Sequence, residues 1–137
     1  MGDMPLSEIT GAQEAITVLV ADDEDDLRIL VRAVLEGAGF QVVEEAIDGE
    51  AALAAVRRLD PPPIPTVMVL DNLMPGLTGL EVAERVLAAT PDQRIVLFSA
   101  FLDADIRKRA DELGVSICVS KGDVHRLPAV IAALAAE

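Results

Sequence analysis

Five times along this chain a short apolar run rich in β-branched residues is followed by a stretch with apolar side chains at helical spacing. That alternation limits the possible folds more than any other feature. The runs are Ile16–Ala21, Gln41–Ala46, Thr66–Leu70, Arg94–Ser99 and Ser116–Val119. The amphipathic stretches are Leu27–Glu36, Glu50–Leu59, Leu80–Ala89, Ala104–Leu113 and Val124–Ala136. Runs of this length and composition read as strands, and apolar residues three and four apart read as helices. The strands are continuously apolar rather than alternating. That suits a parallel sheet covered by helices on both faces. Local signals agree with these limits. Gly37 and Gly39 stop the first helix, Asp103 is placed to cap the fourth, and Gly114 ends it. Pro128 is tolerable only near the first turn of the last helix.

The 137 residues make one domain, and with no Trp or Tyr and only three Phe the core must be built from Val, Ile, Leu and Ala. Residues 1–14 read as a flexible lead-in, and 15–137 as the folded unit. The Pro-rich stretch Asp60–Pro65 precedes the third strand. It is expected at the end of the sheet away from the strand C-termini, as a rigid connection rather than a ligand motif.

A net charge of −13 excludes a basic nucleic-acid footprint at the level of the whole domain. No run is long and apolar enough to span a membrane. The first residues lack a secretory pattern, so a cytoplasmic location is expected. With Cys118 as the sole cysteine, neither an intramolecular disulfide nor a Cys-rich zinc site can form.

Open α/β sheets bind ligands beyond the carboxyl ends of their strands. Asp22 and Asp23 follow the first strand, Asp71 ends the third, Ser99 ends the fourth and Lys121 follows the fifth. Three carboxylates, a hydroxyl and an ammonium thus reach one edge from four strands. Clustered carboxylates repel unless a divalent cation joins them, and Mg²⁺ prefers such oxygen ligands and completes its shell with phosphate oxygens. A carboxylate beside the cation is a competent nucleophile toward phosphorus. The Lys ammonium and Ser hydroxyl can engage the phosphoryl oxygens. Asp25 and Asp26 have a simpler reading, as caps of the first helix.

These residues resemble the receiver domain of two-component response regulators, the CheY-like superfamily. Val20-Ala21-Asp22-Asp23-Glu24 is similar to the family's acidic pair. Leu70-Asp71-Asn72-Leu73-Met74-Pro75-Gly76-Leu77-Thr78-Gly79 is similar to its phosphoacceptor loop. Ala46–Leu53, Ser99-Ala100 and Lys121 match in order and spacing, over about residues 15–136. The resemblance implies a doubly wound, flavodoxin-like (βα)5 fold with strand order 2-1-3-4-5. It implies that Asp71 is the phosphoacceptor, and that Asp23, Asp71 and the Leu73 carbonyl ligate Mg²⁺ or Mn²⁺, with Asp22 assisting. Ser99 and Lys121 would contact the phosphoryl group. The implied partners are a sensor histidine kinase or phosphotransfer protein and a downstream effector or output domain. A homodimer through helix four, strand five and helix five is also implied.

Two positions depart from the family pattern. Cys118 stands where an aromatic switch residue is usual, and Gly122 follows Lys121 where Pro is usual. Phe101 is then the only large side chain in the loop after strand four, and is the candidate moving part. A phosphohydrolase with an aspartyl nucleophile is the competing reading. It is disfavoured because the position of its usual second Asp is Leu73, which cannot transfer a proton. His125 reads as a surface or capping residue, and Met68 and Met74 as packing residues.

Overall fold

The computed structural model describes residues 15–59 and 65–137. The expected lead-in and most of the Pro-rich connection lie outside the described residues. The chain runs β1 (Thr17–Ala21), α1 (Asp25–Gly37), β2 (Gln41–Ala46), α2 (Gly49–Arg58) and β3 (Val67–Leu70). It continues through α3 (Gly79–Ala89), β4 (Arg94–Ser99), α4 (Ala104–Leu113), β5 (Ile117–Ser120), a 3-10 turn (Lys121–Arg126) and α5 (Leu127–Ala135). All strand pairs are parallel, in the order β2-β1-β3-β4-β5. This is the doubly wound sheet expected from the sequence.

Strand side chains alternate faces, and here the two faces differ in shape. Val18, Val20, Val67, Val69, Val96 and Phe98 pack against α1 and α5, through Val31, Leu35, Leu127 and Ile131. Leu19, Ala21, Met68, Leu70, Ile95 and Leu97 pack against α2, α3 and α4. Burial on both faces is nearly complete in β1, β3 and β4, which explains why those strands read as apolar runs, whereas the outer strand β2 exposes Gln41 and Glu45. The β1–β2 register shifts between Val18 and Leu19, which pair with Val42 and Glu44, so β2 carries a bulge.

Most element limits fall within two residues of expectation, and three differences are instructive. Ser116 lies outside β5. Its hydroxyl instead accepts from the Ile95 N–H at 3.1 Å. The last helix starts at Leu127, not Val124. This puts Pro128 within its first turn, where a missing N–H costs nothing. Asp25 and Asp26 do not cap α1. Glu24 is the N-cap residue and makes no side-chain cap bond, while the two aspartates sit in the first turn, facing the positive end of the helix dipole. Asp103 caps α4 as expected, accepting from the Ile106 N–H at 2.8 Å, and Gly114 ends that helix at φ 95°.

Candidate functional site

The C-terminal edge of the sheet collects the predicted polar residues. At the end of β1 the Asp22 N–H still donates to Ala46 O at 3.0 Å, and the Asp71 N–H to Ala21 O at 2.9 Å. Both aspartates therefore leave the sheet from backbone fixed by the ladder. Both residues are buried, at 3% exposure each, whereas Asp23 is exposed. Carboxylate oxygens of Asp22, Asp23 and Asp71 all lie within 4.8 Å of one another.

Lys121 enters this cluster from the end of β5. Its Nζ lies 2.9 Å from Asp22 Oδ2, 3.0 Å from Asp71 Oδ2 and 3.0 Å from Glu24 Oε1. Burial works against the Lys121 charge, but the hydrogen bonds to Asp22, Glu24 and Asp71 prevail and hold the ammonium above its ordinary pKa. Burial pushes the Asp71 carboxyl up. The Lys121 bond opposes that shift, and the nearby Asp22 charge adds to it. Four carboxylates, counting Glu24, face one ammonium, so the cluster lacks positive charge.

Ser99 ends β4 in register with Ser120, beside Lys121 in the chain. It is fully buried, and its Oγ has no hydrogen-bond partner among the described residues. Such a hydroxyl loses its water without compensation, a cost protein interiors seldom accept. The set of hard oxygen donors, the charge deficit and the orphan hydroxyl suit a divalent cation and a phosphoryl group together.

The loop after β3 is built by short-range bonds. Asp71 Oδ1 accepts from the Leu73 N–H at 3.2 Å, and Asn72 Oδ1 accepts from the Leu80 N–H at 3.0 Å. Thr78 and Glu81 form a reciprocal capping box at the start of α3. Gly79 permits the closest approach: a Cβ there would collide with the Asp71 carbonyl oxygen and lie 2.9 Å from its carbon. Gly76 turns the loop at φ 75°.

The two departures from the family pattern have local explanations. Cys118 is half-buried, and burial pushes its thiol pKa up, so it behaves as a small apolar residue. Gly122 keeps a negative φ; its N–H donates to Ser120 Oγ at 3.3 Å, a bond proline could not make. Phe101 and Leu73 are both exposed. His125 is exposed, and Met68 and Met74 are buried, as expected.

Sequence reasoning missed two contributors. Glu24 holds Lys121 although it reads only as one more acidic residue. Arg28 donates through Nη1 to the Asp22 carbonyl at 2.7 Å. Its signal was a lone cation one turn beyond an acidic run.

Comparison with known proteins agrees with this geometry. The sequence profile of the response regulator receiver domain matches residues 18–132. The chain belongs to that family. It is 35% identical over 112 residues to protein-glutamate methylesterase/protein-glutamine glutaminase 2 of Caulobacter vibrioides, covering 80% of this chain and 31% of that protein. It is 33% identical over 108 residues to the response regulator GacA of Pseudomonas aeruginosa, covering 78% and 49%. The crystal structure of a LuxR-family two-component response regulator from Aurantimonas superposes with a TM-score of 0.81 at 27% identity. That match covers 90% of this chain and 86% of the other. The chain thus spans a third to a half of the length of these two curated relatives. A receiver domain is a phosphorylation-dependent signalling switch, and no feature favours the phosphohydrolase alternative. Among the described residues no helix is long and apolar enough to cross a membrane.

Proposed function

We propose that this chain accepts one phosphoryl group on Asp71, from a histidine kinase, a phosphotransfer protein or a small phosphodonor, and that its catalysis is confined to this self-phosphorylation and the matching autodephosphorylation. The observation that carries the reading is the convergence of Lys121 on Asp22 and Asp71, beside a buried Ser99 hydroxyl without a partner. Asp23, Asp71 and the Leu73 carbonyl would hold Mg²⁺ or Mn²⁺, with Asp22 assisting. When bound, the cation neutralises the negative charge that gathers as phosphate meets carboxylate.

The chain's own groups do the remaining work. An Asp71 carboxylate oxygen attacks phosphorus, an O–P bond forms, and the bond to the donor's imidazole nitrogen or acyl oxygen breaks, its electron pair leaving with the donor. Lys121 turns from the Asp71 carboxylate to the phosphoryl oxygens, and Ser99 donates the hydrogen bond it otherwise lacks. Hydrolysis ends the signal: water attacks phosphorus, the Asp71 O–P bond breaks with its electron pair returning to the carboxylate, and inorganic phosphate and a proton are released.

With Cys118 in place of a ring, the movement passes through Ala100–Asp103, with Phe101 as its moving side chain, to the face formed by α4, β5 and α5. That face would meet an effector, an output domain or a second copy. The acidic composition suits a cytoplasmic domain that touches neither nucleic acid nor membrane. Intact-mass analysis after incubation with Mg²⁺ and acetyl phosphate tests the central step. One phosphoryl group should be added, and none to Asp71→Asn. Equal modification of parent and variant would remove Asp71 as acceptor.

A further inference from the structure

Among the described residues, Arg28 is the one guanidinium that touches the acidic loop. It lies in α1, its side chain only 13% exposed. Besides the Asp22 carbonyl it engages Asp25 of its own helix, and Glu45 Oε1 of β2 at 3.5 Å. The carbonyl it holds marks the point where β1 leaves the sheet. The Ala21 carbonyl is still paired with β3, and the Asp22 N–H with β2. The Asp22 carbonyl is the first without a strand partner, and Arg28 supplies one.

We propose that Arg28 is the positioning residue of the acidic pocket. It clamps the backbone from which Asp22 and Asp23 project, and so sets the affinity of the pocket for a divalent cation. This role rests on the reading of the site as a cation-dependent phosphoacceptor.

Three observations support the clamp. The Asp22 side chain is already engaged at both oxygens, Oδ1 by the Glu24 N–H at 2.9 Å and Oδ2 by Lys121. Asp23 has no side-chain hydrogen bond among the described residues, so its carboxylate is located by backbone alone. Asp25 and Glu45 offset the guanidinium charge, which leaves Arg28 to act through directed hydrogen bonds more than through its field. A planar fork that reaches three partners from three elements suits arginine and not lysine.

Arg28→Met and Arg28→Lys separate positioning from charge and from simple stability. Isothermal titration of the full chain with Mg²⁺ should show affinity about tenfold weaker in Arg28→Met, the loss usual when support of a ligating residue is removed. Arg28→Lys should fall between. Without metal, hydrogen exchange of the Glu24 amide should quicken in Arg28→Met. Phosphorylation by acetyl phosphate should recover at saturating Mg²⁺, because the variant is displaced in cation requirement and not in chemistry. Parent-like or tighter Mg²⁺ binding by folded Arg28→Met overturns the role. If that variant does not fold, parent-like affinity in Arg28→Lys overturns it. A parent chain that takes no Mg²⁺ overturns the reading of the site, and this role with it.

Discussion

The two ends of the sheet bury polar groups in opposite ways. At the N-terminal end, Thr17 and Thr66 each accept the other's N–H, at 3.2 and 2.9 Å. Gln93 Nε2 donates to the carbonyls of Pro65 and Arg94, and Arg94 donates to those of Leu134 and Glu137. At the C-terminal end a buried hydroxyl has no partner and carboxylates outnumber cations. The same sheet is closed at one end and chemically unfinished at the other. Incomplete satisfaction therefore marks the working end, since a polar group left open in the resting fold is available to a ligand.

The largest expected effect comes from completing the open end. Mg²⁺ at a hundred times its dissociation constant should stabilise the parent by about 2.7 kcal/mol. Asp23→Ala should lose most of that gain, while its metal-free melting temperature stays level or rises as like-charge repulsion eases. Thermal melts with and without Mg²⁺ check this, and equal stabilisation of the two proteins would break the contrast.

Next is the closed end. Gln93→Ala strands the buried Pro65 carbonyl and should cost about 1–3 kcal/mol in denaturant melts, with phosphorylation per folded molecule unchanged. Ser99→Ala should do the reverse. Removing an unpaired hydroxyl should leave stability within about 1 kcal/mol of the parent, or raise it. Phosphorylation should slow several-fold, short of the roughly 10²–10³-fold that one preorganised donor supplies in an oxyanion hole. A clearly destabilised Ser99→Ala would mean that the hydroxyl is satisfied after all.

The smallest effect belongs to Glu81. Hydrogen bonds from the Thr78 backbone and side chain hold its carboxyl below the ordinary glutamate pKa. A folded-state pKa below the unfolded one adds stability that is full above the unfolded value and lost as pH falls through the folded value. Glu81→Gln should therefore lessen the fall in melting temperature between about pH 5 and pH 3. An identical acid response would remove this box from the acid sensitivity of the fold.

Much of this contrast was legible in the sequence, for reasons that particular residues make plain. The strands announced themselves because both faces are buried, and Asp71, Ser99 and Lys121 are placed simply by standing where strands stop. Pro128 limited the start of α5 correctly, although the apolar pattern running back to Val124 suggested an earlier one. What escaped were contacts between elements that no spacing encodes. Glu24 meets Lys121 across 97 positions, and Arg28 reaches both a carbonyl and β2. The capping of α1 was misread because several acidic residues in succession all suit an N-terminus, and only backbone geometry chooses among them. Gly122 was visible as a departure from proline, but its bond to Ser120 was not.

The bulge in β2 also bears on how the molecule behaves in company. β2 is an outer strand, and beyond the bulge Glu44 pairs with Arg58 of α2, while Glu45 pairs with Arg32 of α1. An outer strand is an invitation to add another strand, and a kinked one lined with charge is a poor template. A neighbouring chain seeking to extend the sheet there would have to bury or break those ion pairs and follow an irregular register. The bulge and its ion pairs thus guard this edge of the sheet against the addition of a strand from a neighbouring chain.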